Sequence, residues 1–146
     1  MDGSGRTQLS DPLIGNAGNP EFQPHGDLLS MYVQHHGWLV ARGPWPVTAD
    51  AITVIPNIPT PTGELVPRFG SAWTWSPDGS MLAGGVSDSW FGDTGVAVYD
   101  VASGDVRAVA TAPVASSVCW LPDGRRLIFF ASSDELAIVD LSLIHI

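Results

Sequence analysis

The segment Trp75-Ser76-Pro77-Asp78-Gly79 constrains this chain more than any other, because it recurs. Trp120-Leu121-Pro122-Asp123-Gly124 repeats it 45 residues downstream, and Phe22-Gln23-Pro24-His25-Gly26 precedes it by 53 residues. An aromatic residue before a proline–glycine turn, returning at such intervals, marks a repeated supersecondary unit. In each copy the proline holds φ at about −65°, Asp tolerates the next position, and glycine accepts the positive φ needed before the following strand. The aromatic ring ends the strand that enters the turn, where it can fill space between packed sheets.

A chain of 146 residues could bury one ordinary core, and the repeat replaces that default with several smaller units. Its 16 Gly and 12 Pro are too many for long helices, while 45% hydrophobic residues exclude a disordered chain. The expected class is all-β.

Fifteen acidic residues stand against six basic ones, all arginine, for a net charge of −9. No basic stripe exists to neutralise phosphates, so nucleic acid and anionic membranes are disfavoured as partners. Acidity favours solubility, with attraction of a cationic partner as the functional alternative. Cys119, the single cysteine, cannot form an internal disulfide or build a zinc site, and its apolar run suggests a buried, inert thiol. No apolar run reaches the roughly 18 residues of a membrane span. The start lacks the basic and apolar regions of a secretory signal, and no compartment is assigned.

Turn signals divide the chain. Residues 1–18 read as the outer strand of a preceding unit plus a connector, because Ser4-Gly5 leads into a short strand as Ser103-Gly104 does. The first unit covers 19–70. It has a strand over Leu28–Val33, a long Trp- and Pro-bearing connection over Gly37–Asp50, a strand over Ala51–Ile55, and an outer strand over Glu64–Phe69, where Pro67 suits an edge. His35-His36-Gly37 could itself pose as the turn, but the Phe22 register keeps aromatic, proline and glycine together. The second unit, 71–113, has strands over Ala72–Trp75, Met81–Val86, Val96–Asp100 and Val106–Thr111, with a loop from Ser87 to Gly95. The third, 114–141, lacks an outer strand, and Leu136–Leu141 match Val96–Val101. Residues 142–146, with Leu141, resemble translated adapter sequence and are read as a non-native tail.

A repeat of about 40–45 residues with four strands is the signature of a propeller blade. Trp75–Gly79, Val98–Gly104 and Trp120–Gly124 resemble the blades of TolB-like and WD-repeat-like β-propellers, while His25 departs from the aspartate of the pattern. The resemblance, over residues 4–141, implies an incomplete β-propeller of consecutive four-stranded antiparallel blades. Propellers use about 4 to 8 blades, so three units form an arc; its ends should expose apolar faces that missing blades of the same chain would cover. Such propellers occur as free-standing interaction proteins of bacterial type and as substrate-gating portions of prolyl-oligopeptidase-type serine hydrolases.

Candidate chemistry is sparse. Adjacent His35 and His36 would point to opposite faces of a strand, so only one could join His25, and no Cys or acidic residue completes a metal set. In Asp88-Ser89-Trp90-Phe91-Gly92-Asp93, two carboxylates beside two aromatics could hold Ca²⁺ or a cationic ligand, but the spacing does not fit a calcium loop. The segment from Trp38 to Trp45 places Arg42 where it could stack on a ring. Asp78 and Asp123 are turn residues, and nothing brings them within the roughly 5–10 Å of a glycosidase pair. No G-x-S-x-G, Walker or H-E-x-x-H motif is present. No catalytic, cofactor or metal residue is therefore assigned. The expected function is that of a non-catalytic protein- or ligand-interaction scaffold, with a protein or peptide as the expected partner, acting through Trp38, Arg42, Trp45, Asp88, Trp90, Phe91 and Asp93 on loops Gly37–Asp50 and Ser87–Gly95. The alternative is the substrate-gating portion of a larger prolyl-oligopeptidase-type serine hydrolase.

Overall fold

A computed structural model describes residues 17–34, 36–60, 63–67, 73–87, 95–112 and 116–143. The strands are β1 (Ala17–Phe22), β2 (Leu28–Val33), β3 (Gly37–Arg42), β4 (Ile52–Val54), β5 (Ile58–Thr60), β6 (Gly63–Pro67) and β7 (Thr74–Trp75). They continue as β8 (Met81–Ser87), β9 (Gly95–Asp100), β10 (Val106–Thr111), β11 (Ser116–Trp120), β12 (Arg126–Phe130) and β13 (Leu136–Asp140). All pair antiparallel, in three sheets ordered β1-β2-β3-β4, β10-β9-β8-β6-β5 with β7 also on β8, and β11-β12-β13. The only regular non-strand elements among the described residues are two 3-10 turns, Ala49–Ala51 and Leu141–Leu143.

The three repeated motifs form turns on one hydrogen-bond plan. Gln23, Ser76 and Leu121 each donate a backbone N–H to the carbonyl five residues on, at Leu28, Met81 and Arg126, all at 2.8 Å. Gly26, Gly79 and Gly124 then donate back to Gln23, Ser76 and Leu121. Gly79 (φ +74°) and Gly124 (φ +65°) take the left-handed conformation, whereas in the first turn His25 takes it instead (φ +58°). The aspartates explain the difference: Asp78 Oδ1 accepts from Ser76 Oγ and from the N–H and Oγ of Ser80, and Asp123 Oδ1 accepts from the N–H groups of Arg125 and Arg126. His25 has no carboxylate with which to make this brace.

Two strand assignments differ from the sequence expectation. Gly37–Arg42 is not part of a connection but the third strand of the first sheet, in full register with β2 from Val33↔Gly37 to Leu28↔Arg42. Its apolar residues serve two cores at once, Trp38 and Val40 on one face and Leu39 and Ala41 on the other, which removes the polar alternation of a one-sided strand. The second difference concerns the segment expected as the first unit's outer strand. β6 instead pairs with β8 through Val66↔Ser87 and Pro67↔Val86, on the side that β7 occupies at Thr74↔Ala83 and Trp75↔Leu82. β6 and β7 together make the first strand of the second sheet, and β4 closes the first. The β5–β6 hairpin curls this sheet until β5 meets β10.

Cores lie between the sheets. Leu28, Trp38, Val40 and Ile55 of the first unit pack with Trp73, Trp75, Leu82, Val86, Ala97 and Tyr99 of the second. On its other face the second sheet presents Ala83, Val96 and Val98 to Val118, Trp120, Leu127 and Phe129 of the third. Gly84 lets Trp73 lie against the backbone: a Cβ there would come 2.3 Å from Trp73 Cδ1.

The outward faces differ from each other. On the first sheet Leu29, Met31, Leu39 and Ala41 are buried, packed with Trp45 and Val47 of the β3–β4 connection and with Ile52, so the expected exposed face is not found there. On the third sheet the expectation holds, with Phe130 39%, Leu136 59% and Ile138 59% exposed. Cys119 is exposed on that face, contrary to expectation, because Val118 and Trp120 on either side of it turn inward.

Candidate functional site

The antiparallel order gives the sheets two ends. One carries the three aromatic-x-Pro-x-Gly turns together with residues 43–51 and 101–105. The other carries residues 34 and 36, the strand termini Ser87 and Gly95, and residues 131–135.

At the turn end, the Arg42 guanidinium Nε lies 3.1 Å from Asp27 Oδ2, both side chains exposed. The ring partner of Trp45 is Phe22, edge to face at 6.0 Å. Residues 43–47 include two cis peptide bonds, Gly43–Pro44 and Trp45–Pro46. Arg42 is thus held by a carboxylate, not by the ring stacking the sequence suggested. Trp38 belongs elsewhere: it is fully buried, edge to face with Tyr32 at 6.1 Å, and is a core residue, not a surface contact.

Asp88, Trp90, Phe91 and Asp93 lie outside the described residues. Their anchors, Ser87 and Gly95, stand at the end of the sheets opposite Arg42 and Trp45. Of the histidines, His25 is exposed at the turn end and His36 at the other, while His35 lies outside the described residues. No cluster of three His, Cys, Asp or Glu side chains that could hold a metal occurs among the described residues.

Asp27 was not foreseen, although the repeat marks its position. The residue after the turn glycine (Asp27, Ser80, Arg125) sits beside the end of the third strand (Arg42, Asp100, Asp140). In the third unit Arg125 Nη2 meets Asp140 Oδ2 at 2.9 Å, so the first unit carries the same ion pair with its signs exchanged.

The aspartates of the turn end are braces. Asp100 accepts from the N–H groups of Ala102 and Ser103, and Asp140 from the N–H and Oγ of Ser142. Hydrogen bonds from Ser76, Ser103 and Ser142 respectively are the main reason that Asp78, Asp100 and Asp140 stay below the usual carboxylate range. The backbone N–H of Arg125, with help from Arg126, lowers Asp123 to about 2. Carboxylates held this firmly in the ionised form are poor proton donors at neutral pH.

Tryptophan has a second role that the sequence reading missed. Trp75 Nε1 donates to the carbonyl oxygen of Glu21 and Trp120 Nε1 to that of Thr74, each at 3.0 Å. Each acceptor is the residue before the aromatic of the preceding unit. Thr74 Oγ1 also donates to Glu21 Oε1, and Gln23 Nε2 to the Gly79 carbonyl, so the first turn rests on the second. Burial at this joint pushes the Glu21 carboxyl up, against a smaller lowering by Thr74. Three residues before the aromatic, Asn19 (φ +51°) and Ser117 (φ +52°) take the left-handed conformation where the registers of β1 and β11 shift.

No protein-family model and no curated protein matches the sequence. Among solved structures, a chain described as oligogalacturonate lyase in complex with manganese superposes with a TM-score of 0.54 at 14% identity, over 86% of this chain. The matched part is 35% of that chain, so this protein spans about a third of its length. Antiparallel sheets stacked face to face, joined unit by unit and matched in this way, decide the architecture. The fold is that of a β-propeller arc. In the propeller, β1, the β6–β7 pair and β11 are the first strands of successive blades, and the indole bonds run from blade to blade. The described residues contain no helix long and apolar enough to cross a membrane.

Proposed function

We propose that this propeller arc, of TolB-like or WD-repeat-like kind, is a non-catalytic recognition scaffold that binds a protein or peptide at its turn end. One observation carries the reading: an exposed Asp27–Arg42 ion pair and the Phe22–Trp45 ring pair both lie at the turn-bearing end of the first sheet. Aromatic rings, a guanidinium and a carboxylate at one end of a sheet suit peptide side chains and backbone, and Arg and Trp are common anchors of interfaces. The neighbouring aspartates are spent on turns, which supports binding over acid–base chemistry.

A peptide-display screen against the whole chain tests this. Selected peptides should lose about tenfold or more in affinity on Arg42→Ala or Trp45→Ala. The reading fails if no peptide is enriched, or if the purified chain hydrolyses ester or peptide substrates.

A second reading is the substrate-gating portion of a larger serine hydrolase of the prolyl oligopeptidase type. It is supported by the similarity of this chain to about a third of a propeller enzyme. A strand–G-x-S-x-G–helix pattern further along the reading frame would favour it. A lyase of acidic sugars fits less well, because a net charge of −9 repels polyanions.

A further inference from the structure

The aromatic residue of the repeat is placed differently in the first unit. Trp75 and Trp120 are buried, at 4% and 7% exposure, and their indoles join one sheet to the next. Phe22 has no N–H for such a bond and is 54% exposed. Its ring partner is Trp45, edge to face, and the prolines on either side of Trp45, Pro44 and Pro46, are exposed as well. An aromatic pair at the surface offers π-electron density to a partner.

Charge selects that partner. Arg42, Arg125 and Arg126 are already matched, by Asp27, Asp140 and Asp123. Asp50, Asp78 and Asp100 are held below the usual carboxylate range chiefly by hydrogen bonds, from Thr48, Ser76 and Ser103 respectively, with Arg107 on β10 the weakest influence on Asp100. Hydrogen bonds do not cancel charge, so the surplus at this end is negative. Asp50 belongs to the same β3–β4 connection as Trp45. The field of such a surplus reaches about 8–10 Å at physiological salt, draws in cations and repels acidic segments.

We propose that the peptide segment recognised at the turn end is basic, with a lysine or arginine side chain lying against the Phe22–Trp45 pair. The inference rests on the recognition reading above and names its partner as a positively charged segment of another protein. The ring quadrupole attracts the cation, and the uncancelled carboxylates steer it to this end. An acidic segment would be repelled by Asp50, Asp78 and Asp100 and would find Arg42 already engaged. A purely apolar segment would use the rings and leave the charge unanswered.

Gly-Ser peptides carrying arginines, citrullines or glutamates, labelled with a neutral dye and titrated with the whole chain by fluorescence anisotropy, separate these partners. Citrulline keeps the shape of the arginine side chain and lacks its charge. The arginine peptide should bind about tenfold or more tightly than the citrulline peptide, with the glutamate peptide weakest, and added salt should shrink the preference. Phe22→Leu keeps apolar bulk at an exposed position and removes the ring, and should cut the arginine-to-citrulline preference about two- to fivefold, whereas Phe22→Tyr should keep it. Asp50→Asn should weaken arginine binding, and Glu135→Gln, at the opposite end of the sheets, should not.

Equal affinity for the arginine and citrulline peptides overturns the proposal. An arginine preference that survives Phe22→Leu in full also overturns it, as does one that Glu135→Gln weakens as much as Asp50→Asn, since either assigns the attraction to diffuse acidity. Display-selected peptides that depend on Arg42 and Trp45 yet show no basic bias defeat this inference and leave the recognition reading standing. Failure of display to enrich any peptide defeats both.

Discussion

Trp120 donates its indole N–H to the carbonyl oxygen of Thr74 across 3.0 Å, fastening the third sheet to the second. Trp75 makes the same bond to Glu21 one unit earlier. The repeated tryptophan is therefore both a space-filling ring and a fixed donor, and the two roles separate by substitution.

Trp120→Phe keeps most of the ring and removes the donor, and should cost about 1 kcal/mol in urea unfolding. Trp120→Ala also empties the space between the sheets and should cost about 3–5 kcal/mol. Equal losses for the two variants would show that the indole bond carries the whole effect of the side chain.

Glycines at two positions should respond differently to alanine. Gly84→Ala drives a methyl into the Trp73 ring, 2.3 Å from Cδ1, and should destabilise by about 1–3 kcal/mol or more through overpacking. Gly104→Ala meets no atom within 4 Å and disturbs only the left-handed backbone at φ +77°, for about 1 kcal/mol. Thermal melts of the two variants rank them.

The exchanged ion pairs predict tolerance to inversion. Asp27→Arg with Arg42→Asp recreates in the first unit the sign order of Arg125 and Asp140, and stability should stay within about 0.5 kcal/mol of the parent. Either single change places like charges together and should lose more than the double. A double-mutant cycle by chemical denaturation reads the coupling.

Two kinds of carboxyl group give the pH profile opposite slopes. Asp123 is lowered from 3.8 to about 2 in the folded protein, so its contribution is full above pH 3.8 and disappears as pH falls through about 2. Asp78, Asp100 and Asp140 act in the same direction. Glu21 is raised above 4.5, so the folded state binds its proton more tightly and stability falls as pH rises past 4.5. Glu21→Gln should remove that fall, leaving the variant more stable than the parent at pH 7 relative to pH 4. Asp123→Asn should flatten the acid limb. Denaturant midpoints at a series of pH values measure both.

What could be read from the residues alone follows the range of the interactions. The turns were legible because Pro and Gly impose backbone angles within five residues. The strands over Met81–Val86 and Val96–Asp100 were legible because turn-forming residues bracket them in the sequence. β3 was obscured because both of its faces are buried and Pro44 and Pro46 follow closely. β6 was misplaced because its partners on β8 lie 19 and 21 residues away, across a pairing that no local pattern encodes. The inter-sheet bonds were hidden for a simpler reason: their acceptors are backbone carbonyls, which every residue has. Of the candidate site, Arg42 and Trp45 could be named and Asp27 could not, because the pair joins the two ends of a hairpin.

The indole bonds also have a direction in time. Each runs from a later tryptophan to an earlier carbonyl, Trp75 to Glu21 and Trp120 to Thr74. As the chain leaves the ribosome, the docking surface for each sheet is made before the side chain that will clasp it. Assembly can then proceed vectorially, each newly emerged sheet closing onto a finished one, and no sheet has to wait for the far terminus to be synthesised.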